Sequence, residues 1–404
     1  MAAKSADYFS KVKSRVKKAE IEKLVKDLVR IQSHSGVPTR ENEVAEFLNE
    51  FLVSEGISSK LRAVERNRPN LIASVKGSGD GKSLMLNGHM DTVPAYEMDI
   101  PPFSPKVVNG RLYGRGALDM KGGLGGMVMA LVGIRRARIR LQGDLILTGV
   151  VGEEEKSEGT EDVVLKGPKA DMAIVGEPTN MEIMPTHRGL EWLDVHFYGK
   201  AAHGGQAERG RNAIPMAARF VQRVEDELMP KLQTRKSRYM MPPTMNLGVI
   251  EGGQQPSSVA DHCVIKIDRR WTPEENLQQV FEEFYDLFDE LKKEDPGFKA
   301  KLKRNESNML TMTHVPNVVP SGHLVVKSLS RAVQSVTGKQ GKITSFWGWS
   351  DAALLTHFGH IPAVLFGPGG AGVHARTEYV LTDDLANCTR VYSAAALDIC
   401  LNPK

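Results

Sequence analysis

Seven residues with metal-ligating or acid–base side chains follow short apolar segments of the chain. His89 and Asp91 close the segment "LMLNGHMDTVP", where a histidine and an aspartate stand two positions apart. Residues i and i+2 of an extended segment share a face, so both side chains can point the same way. A carboxylate placed there can accept the second ring N–H of a metal-bound imidazole. The competing interpretation is a solvated polar pair at the end of a strand.

The other five are Asp119 in "GRGALDMKGG", Glu153 and Glu154 in "VGEEEKSEG", Glu177 in "VGEP" and His374 in "GGAGVHARTEY". Two histidines with several carboxylates suit zinc, cobalt or manganese, and the set is large enough for two ions. The run of three glutamates at residues 153–155 could instead form a solvated cluster. They directly follow an apolar run, however, where like charges are costly unless a cation or proton compensates them. One of two adjacent glutamates can bind metal while the other acts as general base.

Asp119 stands between two glycine-rich segments, where the backbone can approach a ligand closely. A phosphate-binding loop is the alternative function for such a stretch. Neither GxxxxGK[ST] nor a strand-borne GxGxxG pattern occurs in this chain. A carboxylate that bridges two metals therefore fits this segment better than a phosphate cradle.

The elements that carry these residues alternate between helix and strand over about residues 18–150. Short apolar strands separated by helices predict an α/β fold, with a mixed, mainly parallel sheet covered by helices on both faces. In such sheets, ligands bind beyond the carboxyl ends of the strands. The candidate residues follow predicted strands in this way, so we expect them to meet at one edge of the sheet.

The pattern changes near residue 186 and returns to alternating helix and strand near Val318. Between these points we predict strand, helix, strand, strand, helix and strand, which describes a two-layer α+β unit. A chain of 404 residues is long enough for two separate cores. We therefore expect a catalytic domain over residues 1–186 and 313–404, with an inserted domain over residues 187–312.

Composition limits the class of partner. A net charge of +4 gives no strong case for nucleic acid, and no apolar run is long enough to span a bilayer. The basic stretch "KVKSRVKK" near the N-terminus could be a membrane-surface or targeting helix, but the acids that follow it favour a solvated helix. The three cysteines form no CxxC pair, which favours a reduced, cytoplasmic protein without a cysteine zinc site.

Five motifs in this order and spacing resemble the di-zinc aminoacylase and exopeptidase family, which includes deacetylases, desuccinylases, aminoacylases, dipeptidases and a glutamate carboxypeptidase. They are "GHMDTVP", "GRGALDMKGG", "GEEEKSEG", "VGEP" and "GVHARTEY". The resemblance implies one metal held by His89, Asp119 and Glu177, and a second held by Asp119, Glu154 and His374. Asp119 would bridge the two ions.

The resemblance also implies roles for residues that bind no metal. Asp91 would support His89, and Glu153 would be the base that activates water and then protonates the leaving amine. The inserted domain would serve as lid and dimerisation surface. Its His203, in "GKAAHGGQAERG", would reach the active site of the partner subunit and stabilise the oxyanion, although by itself this histidine reads as a loop residue.

Substrate contacts are less closely defined by the resemblance. Arg270, helped by Arg188, matches the arginine that clamps a substrate carboxylate in the family. Upstream of Arg270 the family's Asn-x-x-Pro is replaced by "SSVA", so an asparagine contact with substrate is absent from this position. Trp347 or Trp349 could pack a non-polar acyl or ring group, and the alternative for both is packing in the core.

The function that follows is a homodimeric, metal-dependent amidohydrolase of small molecules, with two divalent ions, most simply zinc. It would remove an N-acyl group from an amino acid or related small amine, as acetylornithine deacetylase or succinyl-diaminopimelate desuccinylase does. A dipeptidase or carboxypeptidase is the alternative within the family. A non-catalytic, metal-dependent binding protein is the alternative from another class, but the complete ligand set and Glu153 argue against it.

Overall fold

The chain forms two units in a computed structural model that describes residues 2–402. The first unit comprises the chain up to Thr186, then Asn317–Phe346, and then the chain from Ser350 onward. The second comprises His187–Pro316 and Trp347–Trp349. The inserted unit therefore begins at residue 187, and it extends beyond the predicted end at residue 312.

The helices and strands account for most of both units. The helices are α1 (Ala2–Arg15), α2 (Lys18–Arg30), α3 (Asn42–Ser54), α4 (Lys121–Arg136), α5 (Glu158–Lys166), α6 (Ala213–Arg223), α7 (Met229–Thr234), α8 (Leu277–Glu294), α9 (Leu324–Thr337), α10 (Ala352–His357) and α11 (Thr382–Cys400). The strands are β1 (Ser58–Glu65), β2 (Arg68–Val75), β3 (Leu84–His89), β4 (Lys106–Val108), β5 (Arg111–Tyr113), β6 (Leu145–Val150), β7 (Met172–Val175), β8 (Ile183–His187), β9 (Gly189–Tyr198), β10 (Thr244–Gly252), β11 (His262–Trp271), β12 (Ala300–Arg304), β13 (Asn317–Val318), β14 (Ile343–Phe346), β15 (Ala363–Leu365), β16 (Gly370–Ala371) and β17 (Tyr379–Leu381).

The first unit is built on a nine-stranded mixed sheet. Its strand order is β1-β2-β6-β3-β7-β15-β8-β13, and β14 pairs with β8. The central strands β6, β3, β7 and β15 are parallel, whereas β1, β2 and β8 are antiparallel to their neighbours. Every residue of β3 and β6 is buried, as expected for strands covered on both faces. The predicted mixed sheet covered by helices is confirmed, and its parallel strands are the central ones.

A small four-stranded sheet in the first unit was not predicted. Its order is β16-β17-β5-β4, and all its strands are two or three residues long. Such strands are too short to show a clear alternation of apolar and polar residues. The sheet matters for the site, because the β16–β17 connection carries His374 and the chain after β5 leads to Asp119.

The second unit contains a four-stranded antiparallel sheet in the order β10-β11-β9-β12. Its elements follow the chain order β9, α6, β10, β11, α8, β12, which confirms the predicted two-layer α+β arrangement. Alternate residues of β9 and β11 are buried, and Phe197 packs on Phe220 of α6. Between α6 and α7 the helix continues through a π-helical segment at Val224–Leu228, just before Pro230 removes a backbone donor.

Helix α1 packs its apolar side on the rest of the first unit. Val12 is buried, and Phe9 contacts the hydrophobic core, while Lys13 and Arg15 are exposed. The basic side chains Lys13 and Arg15 thus lie on the solvent-facing side of α1. Within residues 2–402, no helix combines the length and the apolar character that crossing a membrane requires.

Helix α4 lies so close to the sheet that glycine is required at its first turn. A Cβ atom at Gly123 would overlap the carbonyl oxygen of Gly176, next to the end of β7. We therefore expect Gly123→Ala to destabilise the protein by about 1–3 kcal/mol through overpacking. This should occur although alanine favours helix. The measurement is the midpoint of urea unfolding.

Gly322→Ala is the control, because Gly322 lies in an exposed loop and a Cβ there has no neighbour within 4 Å. An unchanged midpoint for Gly123→Ala would contradict the close approach of α4 to the sheet.

Candidate metal centre

Three parallel strands bring candidate residues to one edge of the main sheet. His89 is the last residue of β3, Glu153 and Glu154 follow the end of β6, and Glu177 follows the end of β7. Because β3 lies between β6 and β7 and runs parallel to both, the three strand ends are adjacent. The expected gathering of polar residues beyond the strand ends is therefore present.

The first group of possible metal ligands is His89, Asp119 and Glu177, which are all buried. One ligand atom from each lies within 4.8 Å of the others. The Nε2 atom of His89 is 3.2 Å from Oδ1 of Asp119. These are one imidazole and two carboxylates, a donor set that suits zinc and similar divalent ions.

The second group is Asp119, Glu154 and His374, which meet the same 4.8 Å criterion. The Nε2 atom of His374 lies 3.2 Å from Oδ2 of Asp119 and 3.0 Å from Oε2 of Glu154. Asp119 belongs to both groups and directs one oxygen to each histidine. Its position is that of a carboxylate able to bridge two ions. The side chain of His374 is 49% exposed, so this end of the centre is open to solvent.

Glu177 carries an orphaned oxygen. Its Oε1 atom is buried and has no hydrogen-bond partner among the described residues. A buried carboxylate oxygen without a partner is costly, because it has lost its hydration and gained no compensating interaction. A cation held by the first group would remove this cost, so the residues present fit a bound divalent metal.

Burial and mutual repulsion control the acid–base properties of the glutamates. Burial raises the pKa of Glu153 well above its ordinary value, and the charge of Glu177 adds to this effect. Burial likewise raises the pKa of Glu177, and the charge of Asp119 contributes. Each negative charge in this place therefore makes the next one harder to form.

The same carboxylates favour the charged form of the two histidines. Hydrogen bonds to Asp119 and Glu154 raise the pKa of His374 to about 10. Burial by itself would lower the pKa of His89, but the bond to Asp119 and the nearby carboxylates raise it well above its ordinary value. The cluster thus attracts positive charge to the same nitrogen atoms that would bind metal.

Asp91 holds the loop that carries the two glutamates. Its carboxylate accepts the backbone N–H groups of Gly152, Glu153 and Glu154 at 3.0–3.3 Å. The ring Nδ1 of His89 lies 3.0 Å from the backbone carbonyl oxygen of Asp91 and 3.6 Å from its carboxylate. The hydrogen bond expected between ring and carboxylate is therefore made by the carbonyl group instead, and the carboxylate positions the Glu153–Glu154 loop.

The sequence did not reveal the role of a second buried carboxylate, Glu378. It holds the loop that carries Asp119, as Asp91 holds the loop that carries Glu153 and Glu154. It accepts the backbone N–H groups of Gly116, Leu118 and Asp119 and the guanidinium of Arg115. The available signal was its place four residues after His374, inside a motif already singled out.

Asp351, at the start of α10, was also missed. It is buried and accepts the hydroxyl group of Thr160 on α5 at 2.6 Å. Burial raises the pKa of Asp351 to about 6. An aspartate in "WGWSDAALL" carries no signal by itself, because an Asp before a helix is most simply a cap.

A cavity of about 220 Å³ lies in the first unit beside Asp91 and Glu154. Val93, Pro94 and Tyr96 form its apolar side. Its remaining lining residues include Ser35, Thr92 and the ion pair of Arg40 with Glu155. It is smaller than the roughly 300–1,000 Å³ typical of ligand sites, so it suits a small chemical group.

In the second unit, His203 is exposed and precedes a short 3-10 turn. Its Nδ1 atom accepts the backbone N–H of Gly205 at 3.1 Å. A backbone N–H can only donate, so a neutral His203 carries its hydrogen on Nε2. The ring therefore presents a hydrogen-bond donor.

The two predicted substrate arginines are already engaged within the second unit. Arg270 binds Asp268 through Nε and Nη2 at 2.7 and 2.8 Å. Arg188 is buried and donates to the carbonyl oxygen of Pro242 and to Thr244. A substrate carboxylate would meet the remaining Nη1 of Arg270 or displace Asp268.

The two tryptophans differ in environment. Trp349 packs edge-on against His314 and donates to the carbonyl oxygen of Val315. Trp347 is 58% exposed. These contacts explain the placement of the partly buried Trp349, whereas packing does not explain Trp347.

The geometry predicts separate consequences for the two metal groups. Glu177→Ala removes a ligand from the first group and leaves the second complete. We expect the affinity for one of the two ions to fall. The loss should exceed the 10–100-fold that is typical when a residue supporting a metal ligand is removed. The measurement is metal titration of metal-free protein.

Glu182→Ala is the control, since Glu182 pairs with Lys342 and Thr344 instead of either group. Two ions bound with wild-type affinity by Glu177→Ala would remove Glu177 from the ligand set.

Comparison with known proteins agrees with this geometry. The chain is 30% identical to N-formyl-4-amino-5-aminomethyl-2-methylpyrimidine deformylase of Bacillus subtilis, with 96% of each chain covered. It is 31% identical to acetylornithine deacetylase of Myxococcus xanthus, with 82% of this chain and 84% of the relative covered. The crystal structure of aminopeptidase PepT from Bacillus cereus has the same fold, with a TM-score of 0.77, 22% identity and coverage of 95% of this chain and 99% of that one.

Residues 85–398 match the model of peptidase family M20/M25/M40, and this range contains both ligand groups together with Glu153. The family match, the similar proteins and the two ligand groups that share Asp119 lead to the same conclusion. The chain belongs to peptidase family M20/M25/M40 and is a metal-dependent hydrolase of amide bonds.

Proposed function

We propose that the protein removes a small acyl group, formyl or acetyl, from the nitrogen of a small amine or amino acid. The observation that carries this proposal is the pair of ligand groups that share Asp119, with Glu153 directly beside the ligand Glu154. Water is consumed, the amide C–N bond breaks, and a carboxylic acid and a free amine are released.

The ligand roles follow from the two groups. His89, Asp119 and Glu177 would hold one ion, and Asp119, Glu154 and His374 the other. We propose zinc, although cobalt and manganese suit the same donors. When bound, two such ions polarise the amide carbonyl and make water a better nucleophile at neutral pH.

Glu153 supplies the proton transfers. It is held in the loop whose backbone N–H groups Asp91 binds, one position before Glu154. In our proposal its carboxylate takes a proton from the attacking water and delivers it to the nitrogen of the leaving amine. The ion pair of Glu155 with Arg40 supports Glu153 over Glu155 in this role.

Three observations support a small acyl group over a peptide as substrate. The cavity beside Asp91 and Glu154 is small. Arg270 is occupied by Asp268, which disfavours recognition that depends on a peptide's terminal carboxylate. The relatives that are 30% and 31% identical are named as a deformylase and a deacetylase. A dipeptidase or carboxypeptidase remains the alternative within the family.

The second unit supports a role in dimerisation. Strand β10 is an edge strand, and its Val249 and Ile250 are exposed. An edge strand with apolar side chains is a ready surface for pairing with another chain. We propose that two copies associate through this unit, which acts as lid and dimerisation domain.

The cysteines bear on the cellular location. Cys263, Cys388 and Cys400 are buried free thiols. Unpaired cysteines are typical of reducing compartments, which supports a cytoplasmic protein.

The test of the proposal is hydrolysis of a panel of formyl, acetyl, succinyl and dipeptide substrates by zinc-loaded or cobalt-loaded protein. We expect turnover of formyl or acetyl amides and a loss of about 100-fold or more in kcat for Glu153→Gln. Glu153→Gln should still bind two ions, whereas the matched variant Glu154→Gln should bind one of them weakly.

The other outcomes of the panel decide between the alternatives. Preferred turnover of dipeptides would favour the peptidase, and no turnover of any amide by metal-loaded protein would favour a binding protein. Metal loss in Glu153→Gln would mean that base and ligand are exchanged.

His203 gives an independent test of the dimer. If its Nε2–H stabilises the oxyanion in the partner's site, His203→Ala should lower kcat by about 100–1,000-fold while both ions stay bound. Mixing His203→Ala with Glu153→Gln should restore part of the activity, because a mixed dimer contains one complete site. An unchanged rate for His203→Ala would exclude the role.

A further inference from the structure

Glu378 is the buried carboxylate that collects the most hydrogen bonds beside the centre without belonging to either ligand group. Its side chain is 0% exposed. Oε1 accepts the N–H groups of Leu118 and Asp119 at 2.8 and 3.1 Å, and Oε2 accepts those of Gly116 and Arg115 at 3.0 and 2.7 Å. All four partners are donors from one short segment that ends at Asp119.

The small sheet brings this carboxylate to that segment. Tyr379 of β17 pairs with Tyr113 of β5, and the N–H of Gly114 donates to the carbonyl oxygen of Glu378 at 3.1 Å. The chain before Glu378 carries His374, and the chain after Gly114 carries Asp119. A single register of two short strands therefore sets both the histidine of one ligand group and the carboxylate shared by both.

We propose that Glu378 is a positioning residue that holds the backbone of Asp119 where its two oxygens can serve two ions. The inference rests on the proposed role of Asp119 as the shared ligand. Glu378 belongs to neither ligand group, and its side chain acts through the N–H groups of the segment. The bond to the N–H of Asp119 itself is the most direct link.

The arrangement requires an acceptor at both oxygens. In Glu378→Gln, one of the two carboxylate oxygens is replaced by an NH₂ group. In either orientation of the amide, this NH₂ group faces two N–H donors. Removing an acceptor from buried donors costs far more than the net gain from one hydrogen bond. The Asp119 segment should therefore lose its fixed position in this variant, although the side chain keeps its size.

The experiment measures zinc binding to metal-free protein by calorimetric titration, together with hydrogen exchange of peptides that cover residues 114–120. For Glu378→Gln we expect about 10–100-fold weaker zinc binding, as for other residues that support metal ligands. We also expect faster exchange of the amides at Gly116, Leu118 and Asp119. Glu378→Asp keeps two acceptors on a shorter side chain and should recover part of the zinc affinity.

Glu191→Gln is the matched control, because Glu191 is also fully buried and arginine-paired, accepting Nε of Arg304 at 2.6 Å in the second unit. It should lower stability without changing zinc affinity or exchange at residues 114–120. If Glu378→Gln lowers zinc affinity no more than Glu191→Gln does, the effect is general destabilisation and the inference is wrong.

Two further outcomes separate the inference from the proposed function. Folded Glu378→Gln that binds zinc with wild-type affinity overturns the positioning role alone. Wild-type protein that binds no zinc overturns the proposed function, and the inference with it. If Glu378→Gln does not fold, Glu378→Asp decides. Its shorter side chain should leave zinc binding weaker and exchange at residues 114–120 faster than in the wild type, and wild-type values for both would contradict the role.

Discussion

Repulsion between buried carboxylates is the constraint on which the rest of the first unit depends. Asp119, Glu153, Glu154 and Glu177 meet at the carboxyl ends of parallel strands, where water is largely excluded. Burial and neighbouring negative charges raise the pKa values of Glu153 and Glu177, and hydrogen bonds to Asp119 raise those of His89 and His374. Such a cluster is stable only with compensating charge, and two divalent ions supply it in a family of metal-dependent hydrolases.

Backbone N–H groups also compensate negative charge beside the metal centre. Asp91 and Glu378 are buried acids that bind no metal in our proposal, and each collects three consecutive or nearly consecutive N–H groups. Each acid thereby fixes a loop that carries ligands. The same bonds stabilise the negative charge of the acid itself. Loop position and charge compensation are therefore achieved by one set of hydrogen bonds.

The second unit shows a different use of charge. Arg270 and Asp268 stand two residues apart on one face of β11 and neutralise each other. Any carboxylate that binds Arg270 must therefore compete with Asp268. The exposed indole of Trp347 is an apolar surface in this same unit. The occupied Arg270 supports our proposal that the substrate is a small acyl amide instead of a peptide.

The sequence alone determined the fold class, the insertion of an α+β unit and the grouping of polar residues at strand ends. These features rest on local periodicity and on motifs of high specificity, so no long-range information was needed. Only the tertiary structure decided which acceptor binds the ring of His89, that Asp268 occupies Arg270, and that Trp347 is exposed while Trp349 is packed. It also decided the role of Glu378, because the strands that bring it to the Asp119 segment are too short to leave a periodic pattern and pair residues more than 260 positions apart. Contacts of that kind depend on register and burial, which local sequence does not encode.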